Sequence, residues 1–193
     1  MRCAGIDIGS RTIEFVIVEE GQIVENRQTD TSFDPITEAK KILDGIAYDG
    51  IMATGYGRGL FEVVFDQTRT VTEIKAHAKG VRMFFPQART ILDIGGQDSK
   101  AISLNEAGIV RKFEMNDRCA AGTGKFLEIM ARNLGFSLDE FGPIALSARK
   151  DFSINSMCTV FAESEVTSLI AKGADRTEIA RGLHLSVVKR AVG

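Results

Sequence analysis

With 193 residues, 24 Lys and Arg against 26 Asp and Glu, and a formal charge of −2, the chain has room for one large domain or two small ones and a core that needs no covalent staples. Both signs are spread along the sequence, so no basic face predicts nucleic acid and no acidic tail predicts a disordered segment; a small polar ligand is the expectation. The opening MRCAGIDIGS is too short an apolar run for a signal peptide, and nothing reaches the about 18–20 apolar residues that span a bilayer, which predicts a cytoplasmic protein with no membrane partner.

The chain begins with CAGIDIGSRTIEFVIVEEGQIVENRQTD, from Cys3 to Asp30: an apolar strand, Asp-Ile-Gly, a small polar turn, a second strand, a glycine turn and a third strand. FDPITEAKKILDGI follows with apolar residues at helical spacing behind an Asp-Pro start and with Gly45 near its end, so an amphipathic helix is predicted. GIMATGYG reads as a buried strand entering a glycine loop, and TEIKAHAKGVRMFF as a second helix. The Thr54–Gly59 loop itself suggests no role by pattern.

From Thr90 to Asp117, TILDIGGQDSKAISLNEAGIVRKFEMND repeats the opening order of events. Both copies predict a three-stranded meander whose first strand, capped by Asp-Ile-Gly, is buried and central. Two copies of one unit imply an α/β fold of two similar lobes, 1–88 and 89–193. Beyond them GTGKFLEIMARNLG predicts a helix ended by Gly135, SLDEFGPIALSA a Ser-capped short helix and a turn, CTVFAESEVTSLIAKG a helix ended by Gly173, and DRTEIARGLHLSVVKRAVG a last helix.

DIGSRT (Asp7–Thr12) and DIGGQDSK (Asp93–Lys100) make chemical sense together. Tight turns of Gly, Ser and Thr let backbone N–H groups and hydroxyls approach phosphate oxygens, and an aspartate at a strand end can hold hydrated Mg²⁺. A single Asp-Gly turn could equally be an ordinary hairpin connection; one per lobe favours a phosphate clamp.

The paired loops resemble those of the acetate kinase, sugar kinase, heat-shock ATPase and actin superfamily, in which duplicated lobes close on ATP. GIDIGSRT, ATGYGR, TEIKAHAKG, DIGGQDSK, NDRCAAGTGKFLE and CTVFAESEV together resemble the BadF/BadG/BcrA/BcrD-type ATPases, and among them the activators of 2-hydroxyacyl-CoA dehydratases, over essentially the whole chain. The resemblance implies an actin-like, ribonuclease H-like fold and ATP hydrolysis that drives low-potential electron transfer. It also implies a ferredoxin or flavodoxin as donor and a dehydratase or reductase component as partner. Asp7 and Asp93 would manage Mg²⁺ and water. Gly9, Ser10, Arg11, Thr12, Gly95, Gly96 and Asp98 would surround phosphate, and Gln97 would position the attacking water.

AAGTGKF is not a Walker A loop, because Cys119 stands where that motif needs its first Gly and Phe126 where it needs Ser or Thr. Gly122, Thr123 and Gly124 can still meet phosphate through free N–H groups at a helix start. Three cysteines in a chain without an export signal argue for buried, reactive or metal-ligating thiols. Cys3, inside an apolar strand, is expected in the core.

Cys119 and Cys158 each precede a predicted helix, where the macrodipole favours thiolate. A 4Fe-4S cluster takes four thiolates, so the two ligands of one chain become a full set in a two-fold homodimer, and the resemblance implies the same shared cluster. Ordinary buried cysteines are the bland alternative. His77, four residues after Glu73, is expected to serve a structural hydrogen bond, and His184 packing or surface. Glu163 and Glu165 favour a helix start whatever their use.

Two competing functions remain: a small-molecule kinase such as a sugar kinase, which has no use for iron, and a nucleotide-binding module without turnover. Family members continue past VVKRAVG into a glycine-rich TGG-type segment that holds adenosine, so the resemblance predicts a chain incomplete at its C-terminus and a weak grip on the base.

Overall fold

A computed structural model describes residues 1–150, 152–154 and 158–192. Eight strands and seven helices are formed among them. Proximity along the chain trace gathers residues into two compact units, Met1–Ile91 with Ile102–Lys112, and Leu92–Ala101 with Phe113–Gly193.

In the first unit β1 (Arg2–Ile8), β2 (Thr12–Glu19) and β3 (Gln22–Asp30) make the expected meander. β4 (Gly50–Thr54) and β5 (Thr68–Thr70) run parallel to β1, so the sheet order is β3-β2-β1-β4-β5 and β1 is central. Strict alternation puts Ile6, Ile8, Ile13, Phe15 and Ile17 on buried positions, each essentially closed to solvent. Burial of such a side chain contributes roughly 1.5–3 kcal/mol.

The buried set is closed by α1 (Pro35–Leu43) and α2 (Arg58–Val64). The first is capped by Asp34, whose carboxylate accepts from the Thr37 N–H at 3.1 Å. The second is short and has no side-chain cap, which is why its pattern was silent; Phe61, fully buried and stacked 4.0 Å from Phe65, holds it down. α3 (Glu73–Phe84) lays Ala78 against Ile91, Ile102 and Leu104.

The second meander is β6 (Thr90–Ile94), β7 (Ser99–Leu104) and β8 (Val110–Asn116), in the order β6-β7-β8. Here the expectation of a central first strand fails. Among the described residues β6 is an edge, with Leu92 and Ile94 about half exposed, because no strand pairs on its other side.

Four helices complete the second unit: α4 (Gly124–Leu134), α5 (Leu138–Ser147), α6 (Thr159–Ala171) and α7 (Arg176–Val192). Phe126, Met130, Leu134, Phe141, Val166, Ile179 and Leu183 pack into one buried cluster. Gly135 ends α4 in the left-handed region at φ 75°, a conformation that costs a residue with a Cβ. Ser137 and Glu140 cap the start of α5 reciprocally, and that helix runs ten residues through Pro143 instead of breaking into helix and turn, because Phe141 and Ala145 anchor it in the core.

Candidate functional site

Asp7 is the penultimate residue of β1, in register with Glu14 on one side and Thr54 on the other. The loop that carried no signal in the sequence lies against it. Gly55 has φ 86°, and a Cβ there would meet Asp7 Oδ1 and stand 2.6 Å from the Ile8 carbonyl. Gly57 donates its N–H to that carbonyl at 2.9 Å, and Arg58 reaches back to the Gly55 carbonyl at 3.0 Å. The Thr54–Gly59 segment is thus the buttress of Asp7. Beside it the Thr54 hydroxyl oxygen is buried and makes no hydrogen bond among the described residues.

The first loop is held tightly from the β3 side. Gly9 donates to the Thr12 carbonyl at 3.1 Å and its own carbonyl accepts from the Thr31 hydroxyl at 2.9 Å, while the Thr31 N–H reaches the Arg11 carbonyl at 2.9 Å. A side chain on Gly9 would come 2.8 Å from the Thr12 carbonyl. Ser10 is exposed, and Arg11 pairs with Asp30 at 2.9 Å on the surface. An exposed pair of that kind contributes at most about 1 kcal/mol, so the guanidinium can exchange Asp30 for another anion cheaply.

The second loop is organised by a residue the sequence reading passed over. Lys100 is 3% exposed, and its ammonium sits 3.1 Å from Asp93 Oδ2 and 2.6 Å from Asp98 Oδ1. The signal was present in the alternation of β7, which puts Lys100 on the same buried face as Ile102 and Leu104. A lysine on an inward position needs carboxylates beside it. Gly95 donates to the Asp98 carbonyl at 2.8 Å and closes the turn over Gly96 and Gln97.

This turn grips the start of α4. The N–H of Gly124 donates to the Gly95 carbonyl at 2.8 Å and that of Lys125 to the Gly96 carbonyl at 2.9 Å; Thr123 donates to the Ala120 carbonyl at 3.0 Å. The expectation of free N–H groups at Thr123 and Gly124 is therefore corrected: the first is taken up by the local turn to Ala120, the second by the backbone of the Gly95–Gly96 turn packed against it. A Cβ on Gly124 would stand 3.2 Å from the Gly95 carbonyl.

Cys119 is exposed in the loop between β8 and α4. The Asn116 side-chain amide donates to the carbonyls of Cys119 at 3.0 Å and Ala121 at 3.3 Å, and the Thr123 hydroxyl to that of Ala120 at 2.6 Å. Asn116, Cys119, Gly122 and Arg190 line a hollow of about 310 Å³. Cys158, also exposed, is the N-cap residue of α6, with its carbonyl accepting from Ala162 at 2.9 Å. Cys119 is not at a helix end in the same sense: the Ala120–Thr123 turn separates it from α4, and the dipole falls off within a turn.

Both thiols are accessible donors of the soft kind that suits iron–sulfur chemistry, whereas Asp7, Asp93 and the Thr54 hydroxyl are hard oxygen donors that suit Mg²⁺. Among the described residues no three His, Cys, Asp or Glu side chains gather closely enough to hold a metal ion. Cys3 is half-buried in β1, outside the core set in which it was expected. His184 packs 4.6 Å from the Phe141 ring, and His77 lines a hollow of about 380 Å³ with Asp7 and Phe84.

Residues 4–193 match the model of the BadF/BadG/BcrA/BcrD ATPase family. The chain belongs to this ATPase family. It is 44% identical over 207 residues to the activator of lactoyl-CoA dehydratase from Anaerotignum propionicum, covering 100% of this chain and 77% of the relative. Two solved structures superpose with a TM-score of 0.91: the activator of 2-hydroxyisocaproyl-CoA dehydratase from Clostridium difficile with bound ADPNP, at 38% identity, and component A of Acidaminococcus fermentans (R)-2-hydroxyglutaryl-CoA dehydratase, at 36%. The matches cover 100% of this chain and 74% and 77% of those chains. The α/β architecture is the actin-like ATPase fold. Among the described residues no helix of this family member is long and apolar enough to cross a membrane.

Proposed function

We propose that this protein is an ATP-dependent activator that hydrolyses ATP to drive low-potential electron transfer to a 2-hydroxyacyl-CoA dehydratase, or to a reductase component of the benzoyl-CoA reductase type. The observation that carries the reading is the pair of backbone bonds from Gly124 and Lys125 to Gly95 and Gly96. They join the second phosphate turn directly to the segment that follows an exposed cysteine, in a chain matched along its length by dehydratase activators.

Asp7 and Asp93 offer carboxylates for Mg²⁺, with Lys100 leaving one net negative charge on the Asp93–Asp98 pair. Gly9, Ser10, Arg11 and Thr12 in the first loop and Gly95, Gly96 and Asp98 in the second would surround phosphate. Gly122, Thr123 and Gly124 would support the second loop from behind. Gln97, at the tip of its turn, would orient the attacking water.

Cys119 and Cys158 would hold a 4Fe-4S cluster together with the same two residues of a second copy, since one chain offers two thiols and the cluster takes four. Such a cluster, when bound, supplies a one-electron store that a ferredoxin or flavodoxin can fill. Val160 and Phe161, both about two-thirds exposed in the first turn of α6, offer apolar surface beside Cys158 for the second copy to cover.

The test is anaerobic reconstitution with iron and sulfide, reduction, and mixing with a dehydratase component and its 2-hydroxyacyl-CoA. Dehydration that needs Mg-ATP and is not supported by a non-hydrolysable analogue is the expected outcome. Dehydration that proceeds equally without nucleotide would overturn the reading.

A further inference from the structure

Lys100 belongs to no motif position used above for phosphate or water, yet it is the most deeply buried charged side chain in the second loop. An ammonium so enclosed is tolerable only while carboxylates hold it, and Asp93 and Asp98 do so from opposite ends of the Gly95–Gln97 turn. The turn has little freedom left. The Gly95 N–H is tied to the Asp98 carbonyl, and Asp98 Oδ1 lies where a Cβ on Gly95 would come within 2.8 Å of it.

The carbonyls of this same turn accept the first N–H groups of α4, and α4 begins one short turn after Cys119. A chain of direct contacts therefore runs from Lys100 through Asp98 and the Gly95–Gly96 carbonyls to Gly124, Lys125 and the Ala120–Thr123 turn.

We propose that Lys100 is the positioning residue that couples the second phosphate turn to the start of α4. Its ammonium fixes the turn in the one shape that presents the Gly95 and Gly96 carbonyls to α4. A ligand that draws Asp93 or Asp98 away from Lys100 loosens both bonds at once. The relevance of this coupling to nucleotide-linked redox chemistry rests on the function proposed above; the coupling itself does not.

Amide hydrogen exchange measured by NMR tests it. In Lys100→Met the Gly124 and Lys125 amides should exchange faster by about tenfold or more, while Ile179 and Leu183 in α7 keep their protection. Asp98→Asn, which keeps the shape and the Asp93 contact, should weaken the same two amides and supplies the answer if Lys100→Met does not fold. In the unaltered protein Mg-ATP should change the exchange of these two amides, and in either variant that response should vanish. Unchanged protection of Gly124 and Lys125 in Asp98→Asn, or a nucleotide response of undiminished size, would overturn the coupling. Failure of the iron and dehydratase experiment, with these amides still loosened, would overturn the proposed function and leave the coupling standing.

Discussion

Gly55 stands so close to Asp7 that a single methyl group on its α-carbon would press on the Asp7 carboxylate and on the Ile8 backbone. The glycine also holds φ at 86°, a region in which an alanine is strained. Gly55→Ala should therefore cost about 1–3 kcal/mol of stability and displace Asp7 as well. Chemical denaturation gives the first effect and calorimetric titration with Mg-ATP the second. A variant of normal stability with undiminished Mg-ATP affinity would show that the buttress does not set Asp7.

The Asn116 amide spans the cysteine loop by donating to two of its carbonyls. Asn116→Ala removes both bonds, a loss of about 1–3 kcal/mol in a local element. It should lower the iron retained after anaerobic desalting while leaving the helical circular dichroism unchanged. Iron retention equal to that of the unaltered protein would mean that the loop keeps its shape without the clamp.

Three helix starts respond to acid. The Thr37 hydroxyl holds the Asp34 carboxyl below the usual carboxylate range, the Ser137 hydroxyl does so for Glu140, and the Thr177 hydroxyl for Asp175. A carboxyl depressed in the folded state takes up its proton later than in the unfolded chain. Its contribution is complete above the ordinary carboxylate range and disappears as pH falls through the lowered value. The gap in melting temperature between the unaltered protein and Glu140→Gln should thus be full above the ordinary carboxylate range and narrow progressively as pH falls below it. A gap that persists at the acid end would mean that the charge of Glu140 is irrelevant to the cap.

In the second unit Phe126 is fully enclosed among Met130, Leu134, Ile179 and Leu183 at the head of α4. Phe126→Ala should cost about 3–5 kcal/mol, read as a lowered denaturation midpoint. A loss below about 1 kcal/mol would show that the site collapses around the cavity.

Much of this was legible in the chain itself. The alternation of β1 and β2, the Asp-Pro start of α1, the Ser137 cap and the glycines at 45, 135 and 173 each predict the element found. Local chemistry decides those features, so one segment suffices to read them. What escaped depends on distant partners. α2 has no cap and is held by Phe61 against the first sheet, and the purpose of Gly55 becomes visible only when Asp7 is placed beside it. The N–H group of Gly124 looked open because its acceptor, the Gly95 carbonyl, lies about 30 residues earlier in the chain. Lys100 is the instructive case: its burial was written in the period of β7, yet it stood at the end of a polar motif and was given no role there.

The central claim, that Cys119 and Cys158 of two copies share one cluster, is tested most directly by native mass spectrometry of the anaerobically reconstituted protein. A dimer carrying one cluster, with about two iron per chain, is the predicted species. Cys119→Ser and Cys158→Ser should each remove it, and Cys3→Ser should leave it in place. A monomer holding a complete cluster, or retention of the cluster in both single variants, would contradict the shared site.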